Sequence, residues 1–161
     1  MKGRSMKRLA TLFAIVLVCG PSAQAEDVER GTAEEAQAMV ARAIALYDQA
    51  GMGDTFRQIT LSPDPGFRDR DLYLFVIDQA GFMAAHALYP QSVGTNAINA
   101  VDSAGTRYVR DIVSHATPEG AWVDYIFIDP LTGAPAPKST WVVLHDRFIF
   151  ACGIYAGEVG I

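Results

Sequence analysis

In "TAEEAQAMVARAIALYDQ", from Thr32 to Gln49, apolar positions return every three or four residues through Met39, Ala43, Leu46 and on to Ala50. That period predicts a helix with one apolar stripe, in a segment rich in strong helix formers. Thr32 followed three residues later by Glu35 has the form of a capping box and sets the helix start. Gly51 and Gly53 end it. "DTFRQIT" adds a short helical piece before the loop "SPDPG".

The period then drops to two. "DLYLFVID" (71–78) and "GFMAAHAL" (81–88) read as strands joined through "DQAG", where Asp at the first turn position and Gly at the last suit a tight hairpin. Alternation puts Tyr73, Phe75 and Ile77 on one face and Leu72, Leu74 and Val76 on the other, and groups His86 with Phe82 and Ala84. "YPQSVGTNAINAVDSAG" is irregular. "TRYVRDIVSHA" returns to helical spacing through Tyr108, Ile112 and His115. Three further strands follow: "AWVDYIFI", "KSTWVVLH" and "FIFACGIY", connected by "DPLTGAPAP" and "DR". On the first of these, Trp122 and Asp124 share one face, with Val123, Tyr125 and Phe127 on the other. No internal repeat or linker interrupts the series. The expected fold is α+β: a long N-terminal helix packed on a five- to six-stranded antiparallel sheet. The opposite side carries the loops and the short helix, with room for a cavity.

The N-terminus stands apart from this pattern. Lys2, Arg4, Lys7 and Arg8 precede the apolar "LATLFAIVLVCG", and "AQA" supplies small residues at 23–25. This is the form of a secretory signal peptide spanning residues 1–25, cleaved after Ala25, with the folded domain at 26–161. A lipoprotein signal acylated at Cys19 fits less well, because Val18 is not small. Cleavage removes four basic residues and takes the net charge from −5 to −9. Such an acidic chain without a basic stripe excludes nucleic acid as a partner. Cys152 is then left alone, so the domain holds no internal disulfide. The expected location is periplasmic or secreted.

Catalytic motifs are scarce. There is no Gly-x-Ser-x-Gly, phosphate-binding glycine loop or His-Glu-x-x-His, and His86, His115 and His145 lie on different elements without ligand spacing. No metal and no cofactor is expected, and the chain reads as a binding module rather than an enzyme. Cys152, in an apolar strand, reads as a buried inert thiol. One residue is out of keeping with its surroundings. Lys138 is the only lysine after Lys7, and it lies in the most aromatic part of the chain, near Trp122, Tyr125 and Trp141. It is either a surface lysine guarding an edge strand or the counter-charge of an anion pocket.

An ordered set of short motifs resembles the single Cache domain, the extracellular PAS-like sensor module of bacterial chemoreceptors and histidine kinases. These are Asp-Leu-Tyr at 71–73, Asp-x-x-Gly at 78–81, Ala-His at 85–86, Gly94, and Asp102 with Gly105. They continue through Trp-Val-Asp-Tyr at 122–125, Pro130, Lys-Ser at 138–139 and Gly-Ile-Tyr at 153–155. The resemblance implies that a small carboxylate or similar polar metabolite binds in a pocket on the sheet. It also implies that Tyr73, His86, Trp122, Tyr125, Lys138 and Tyr155 hold the ligand. Receptors of the family continue into a transmembrane helix and a signalling module, whereas this chain stops six residues after Tyr155. The expectation is a free-standing exported sensor that passes ligand state to a membrane-bound signalling partner, with homodimerisation through the N-terminal helix as a further possibility. Two other readings stay open. One is a small enzyme of the cone-shaped, nuclear-transport-factor-like class, using Asp124 and His86 as acid and base. The other is a dimerising interaction module with a vestigial pocket.

Overall fold

The computed structural model describes residues 29–62 and 65–156. The expected leader at 1–25, Cys19 within it and the tail at 157–161 lie outside the described residues. Helix α1 runs Ala33–Leu61 and begins at the expected capping box. Thr32 Oγ1 accepts from the Glu35 amide at 3.2 Å, and Glu35 Oε2 accepts from the Thr32 amide at 2.9 Å. Gly51, at φ 77° and ψ 171°, breaks the helical path, so the two helical pieces expected on either side of it form one kinked element. The buried stripe passes through Ala36, Met39, Val40 and Ala43, then Ile44 and Tyr47 against the core, and not through Leu46 and Ala50.

The strands are β1 (Arg68–Asp69), β2 (Leu72–Asp78), β3 (Met83–His86), β4 (Ala121–Ile128), β5 (Pro135–His145) and β6 (Phe148–Tyr155), with α2 (Tyr108–His115) between β3 and β4. They form one six-stranded sheet in the order β1-β2-β6-β5-β4, with β3 also paired to β2, and every pairing is antiparallel. The β2–β3 reversal is the expected one: the Gly81 amide donates to the Asp78 carbonyl, and Gly81 sits at φ 85°. Strand β5 starts earlier than expected, at Pro135. The Pro137 carbonyl takes the Ala156 amide, so its ring nitrogen faces the side where β6 has already ended and no ladder bond is lost.

The central strands β2 and β6 are buried on both faces, which explains why they read as nearly continuous apolar runs. Leu72, Leu74, Val76, Phe150 and Cys152 pack under α1. Tyr73, Phe75, Ile77, Ile149 and Ala151 form a second core beneath α2 and the irregular segment 87–107. Asp102 pins that segment to the sheet. One carboxylate oxygen accepts from the Ala104 and Thr106 amides, and the other from the Ile126 amide of edge strand β4 at 2.9 Å. These bonds, led by the one from Ile126, hold the Asp102 carboxyl below its usual range.

The entry to α1 is fastened by charge. Arg30 reaches Asp71 at 3.2 Å and Asp129 at 2.7 Å, both carboxylates being fully buried, and Asp71 also accepts from the Gly31 amide. Gly31 is required there, since a Cβ would lie 2.2 Å from Leu72 Cγ. Cys152 is buried against Met39 on the helix side, and burial raises its thiol to about 12, as an inert packing residue should be.

Candidate functional site

Between the sheet and α2 lies a cavity of about 50 Å³, lined among others by Tyr73, Phe75, His86, Tyr108, Tyr125 and Lys138. By a measure in which one water needs about 10–15 Å³, this is room for a few waters or one very small organic molecule. Lys138 is 2 % exposed, so it is not an edge-strand surface residue. Strand β5 is interior, between β4 and β6, and Lys138 faces the second core. Its side chain crosses β6 above Gly153, where a Cβ would lie 2.2 Å from Lys138 Cε and 2.5 Å from Thr140 Oγ1. Nζ then meets the Tyr73 hydroxyl at 2.7 Å.

No carboxylate among the described residues lies within ion-pair distance of this ammonium. Its surroundings are aromatic: Nζ is 3.9 Å from the Tyr73 ring centre, 5.0 Å from Tyr155, 5.4 Å from Phe127 and 5.7 Å from Phe75. Burial pulls the lysine down to about 7, partly offset by the charge of the Asp71 carboxylate.

The hydroxyls around it have a fixed polarity. Tyr155 donates to the Ile128 carbonyl at 2.8 Å, so the Tyr73 hydroxyl donates to Tyr155 at 2.9 Å and offers its lone pair to Lys138. Neither phenol has a proton left for anything else. Thr140 donates to the Tyr125 hydroxyl at 2.9 Å, which leaves Tyr125 its own proton. His86 is also set by the backbone. Its Nδ1 accepts from the amides of Leu88 and Tyr89 at 3.1 and 2.9 Å, so the neutral ring carries its proton on Nε2. Burial first, and the charge of Lys138 second, lower its pKa to about 3 and keep it neutral.

Of the six residues singled out in the sequence, Tyr73, His86, Tyr125 and Lys138 line the cavity, and Tyr155 supports it through Tyr73. Trp122 is elsewhere. It packs with Trp141 at 5.3 Å between ring centres, on the α1 side of the sheet. Asp124, exposed between the inward-facing Val123 and Tyr125, shares that outer side, so it does not meet His86 as an acid–base pair would. His86 shares its face with Met83 rather than with Phe82 and Ala84. Val76 pairs with Ala85 but Ile77 with Met83, which makes Ala84 the extra residue of a bulge and shifts the alternation by one.

Phe75, Ile77 and Phe127 complete the wall, on the faces that alternation assigns to Tyr73 and Tyr125. Tyr108 adds a ring from α2, stacked on Tyr125 at 4.8 Å. Gly153 is a further contributor: it stands in the Gly-Ile-Tyr motif but was not among the expected ligand residues, although a glycine inside a strand often marks close approach of another group. Gly153→Ala should push the lysine stem aside and overpack the core, costing about 1–3 kcal/mol of stability. Chemical denaturation checks this, and a Gly153→Ala protein as stable as wild type would show that Lys138 has slack the packing denies.

A helix-backed antiparallel sheet with a small cavity on its far face is the architecture of PAS-like sensor domains. The chain belongs to the Single Cache domain 2 family, whose profile matches residues 15–158. Over 121 residues it is 28% identical to the sensor histidine kinase MctS of Rhizobium johnstonii. That match spans 71% of this chain but only 26% of the kinase's length. The fold is also that of a methyl-accepting chemotaxis protein from Vibrio parahaemolyticus, at 18% identity, TM-score 0.62, and coverage of 79% of this chain and 90% of that one. A Cache chemosensory domain studied for carboxylic acid recognition superposes with TM-score 0.58 at 18% identity, covering 77% of this chain and 88% of its own. Cache domains are sensor domains, typically periplasmic, and no helix among the described residues is long and apolar enough to cross a membrane.

Proposed function

We propose that this domain is an exported sensor for a small monocarboxylate, held in the cavity beside Lys138. One observation carries the reading: a buried ammonium with no carboxylate partner among the described residues, facing a cavity of about 50 Å³. An isolated buried charge is costly, and an anion entering the cavity supplies the missing partner. Lys138 contributes the charge, and His86 Nε2–H and Tyr125 contribute donors. Phe75, Ile77, Met83 and Phe127 give the remainder of the ligand an apolar wall. One cation matches one carboxylate, and the volume suits an acid of about two or three carbons. The carboxylic acid recognition studied in the similar Cache domain supports the same chemistry. Export by the N-terminal leader and transfer of ligand state to a membrane-bound partner complete the proposal.

A thermal-shift screen of short-chain acids, followed by calorimetric titration of the best, tests it. The melting temperature should rise with acid concentration by mass action. Failure of every small acid to shift it would end the carboxylate reading.

Binding should also depend on pH in a defined direction. In the empty cavity burial lowers Lys138 to about 7, and a bound carboxylate restores the ammonium, so binding takes up a proton above that pH. Affinity should be level below about pH 7 and fall roughly tenfold per pH unit above it. The empty domain moves the other way. The native lysine lies below its ordinary 10.5, so the unfolded chain binds more protons between the two values and stability rises with pH across that window. Titrations in buffers of different ionisation heat read the proton uptake directly. An affinity that does not change across that range would mean Lys138 is not the counter-charge.

A further inference from the structure

We propose that Lys138 captures small 2-oxo acids covalently, as an imine between its Nζ and the oxo carbon, in the cavity beside Tyr73. The inference rests on the cavity being an acid-binding site and adds a bond to it. Three features of the geometry favour condensation. The amine is buried among aromatic rings with no carboxylate among the described residues to hold it as an ammonium, which favours the neutral nucleophile. Its nearest hydroxyl, Tyr73, directs its proton to Tyr155, so it accepts from the lysine and leaves one nitrogen lone pair free in the neutral amine. His86 Nε2–H and the unshared proton of Tyr125 are donors in the same wall for the carbonyl oxygen. The native lysine near 7 agrees with this arrangement.

The step balances without an oxidant or reductant. An ammonium and a carbonyl give a protonated imine and water. The nitrogen lone pair, freed by loss of one proton, forms the C–N bond, and the carbonyl oxygen takes up a proton to give the carbinolamine. The oxygen then collects a second proton, the C–O bond breaks and water leaves. Both protons in that water come in net from the nitrogen, and the positive charge stays on it. A carboxylate adjacent to the oxo carbon remains beside that charge, so a 2-oxo acid keeps its ion pairing through the condensation. Plain carboxylates cannot condense and would bind by charge alone.

Lys2, Lys7 and Lys138 are the only lysines in the chain, which makes the assignment clean. Purified protein is incubated with pyruvate and cyanoborohydride near neutral pH, and the reduced adduct is located by peptide mapping. The expected result is one adduct on Lys138, formed at least tenfold faster in the folded protein than in urea, where the amine has an ordinary lysine's protonation. Acetate, which has no oxo carbon, should slow trapping by competition. Lys138→Arg keeps the charge and should lose the adduct. Labelling of Lys138 no faster when folded, or only at the chain terminus, overturns the inference. If acetate still raises the melting temperature in that case, the sensor reading stands and only the covalent step falls. If acetate and all other small acids leave it unchanged, both fall.

Discussion

Replacing Lys138 by methionine should remove small-acid binding and, at the same time, make the empty domain more stable. The methionine keeps most of the stem that crosses Gly153, so packing above β6 changes little. The Tyr73 hydroxyl loses a donor but still gives its proton to Tyr155, so no buried hydroxyl is orphaned. What disappears is a charge whose burial lowers it from 10.5 to about 7. At and below neutral pH that charge disfavours the empty fold. Exchanging buried charge for apolar volume stabilises proteins by about 1–4 kcal/mol in favourable cases, and a gain of that order is expected here. In the complex the sign reverses. A carboxylate in the cavity would have no counter-charge, and binding should weaken by about 2–5 kcal/mol, the range for truncating one partner of a buried charge pair. Thermal melts of the ligand-free proteins and calorimetric titration with the best acid measure the two effects. A Lys138→Met protein with unchanged affinity and unchanged melting temperature would contradict both the burial and the role assigned to the lysine.

Much of the scaffold was legible because a two-residue period leaves little freedom once one face is buried. The alternation along 72–77 put Tyr73 and Phe75 on one face of their strand, and that along 121–128 put Tyr125 and Phe127 on one face of theirs. The structure turns both faces to the same side of the sheet. The same alternation had already put Trp122 on the other side from Tyr125. It was the family resemblance, not the residue pattern, that drew Trp122 into the candidate set. His86 escaped the pattern because a bulge is a property of a strand pair: Ala84 is extra only relative to the residues of β2 opposite it. Lys138 was ambiguous for a similar reason. Whether a lysine early in a strand is surface or core depends on β5 lying between two neighbours and on Gly153 leaving a gap across the next strand. The charge cluster at Arg30 had no local signal, since its partners lie 41 and 99 residues away.

That cluster should carry the largest share of stability held by any polar group outside the cavity. Arg30→Met would leave Asp71 and Asp129 buried, at 0 % and 1 % exposure, each keeping one backbone amide but neither a counter-ion. Breaking a buried pair by removing one partner typically costs about 3–5 kcal/mol, and that loss is expected at neutral pH. The pH dependence separates charge from packing. Burial, the largest single influence, would raise the Asp129 carboxyl, but the hydrogen bond and charge of Arg30, with the bonds from the Leu131 amide and Thr132, together hold the native value below 3.8. The stability it contributes is therefore present above that value and is lost as pH falls through the native one. In Arg30→Met the Asp129 carboxyl is freed to protonate, so the deficit against wild type should be greatest near neutrality and shrink toward about pH 4. A lost packing contact would cost the same at both. The effect should extend to the cavity as well. The Ile128 carbonyl, one residue before Asp129, ends the hydrogen-bonded series from Lys138 through Tyr73 and Tyr155. Releasing Asp129 loosens that acceptor, and small-acid affinity should fall in a variant whose altered residue touches no cavity wall. Urea denaturation at the two pH values and titration with the same acid test the two parts. A deficit under 1 kcal/mol at neutral pH would make the cluster no stronger than an exposed ion pair.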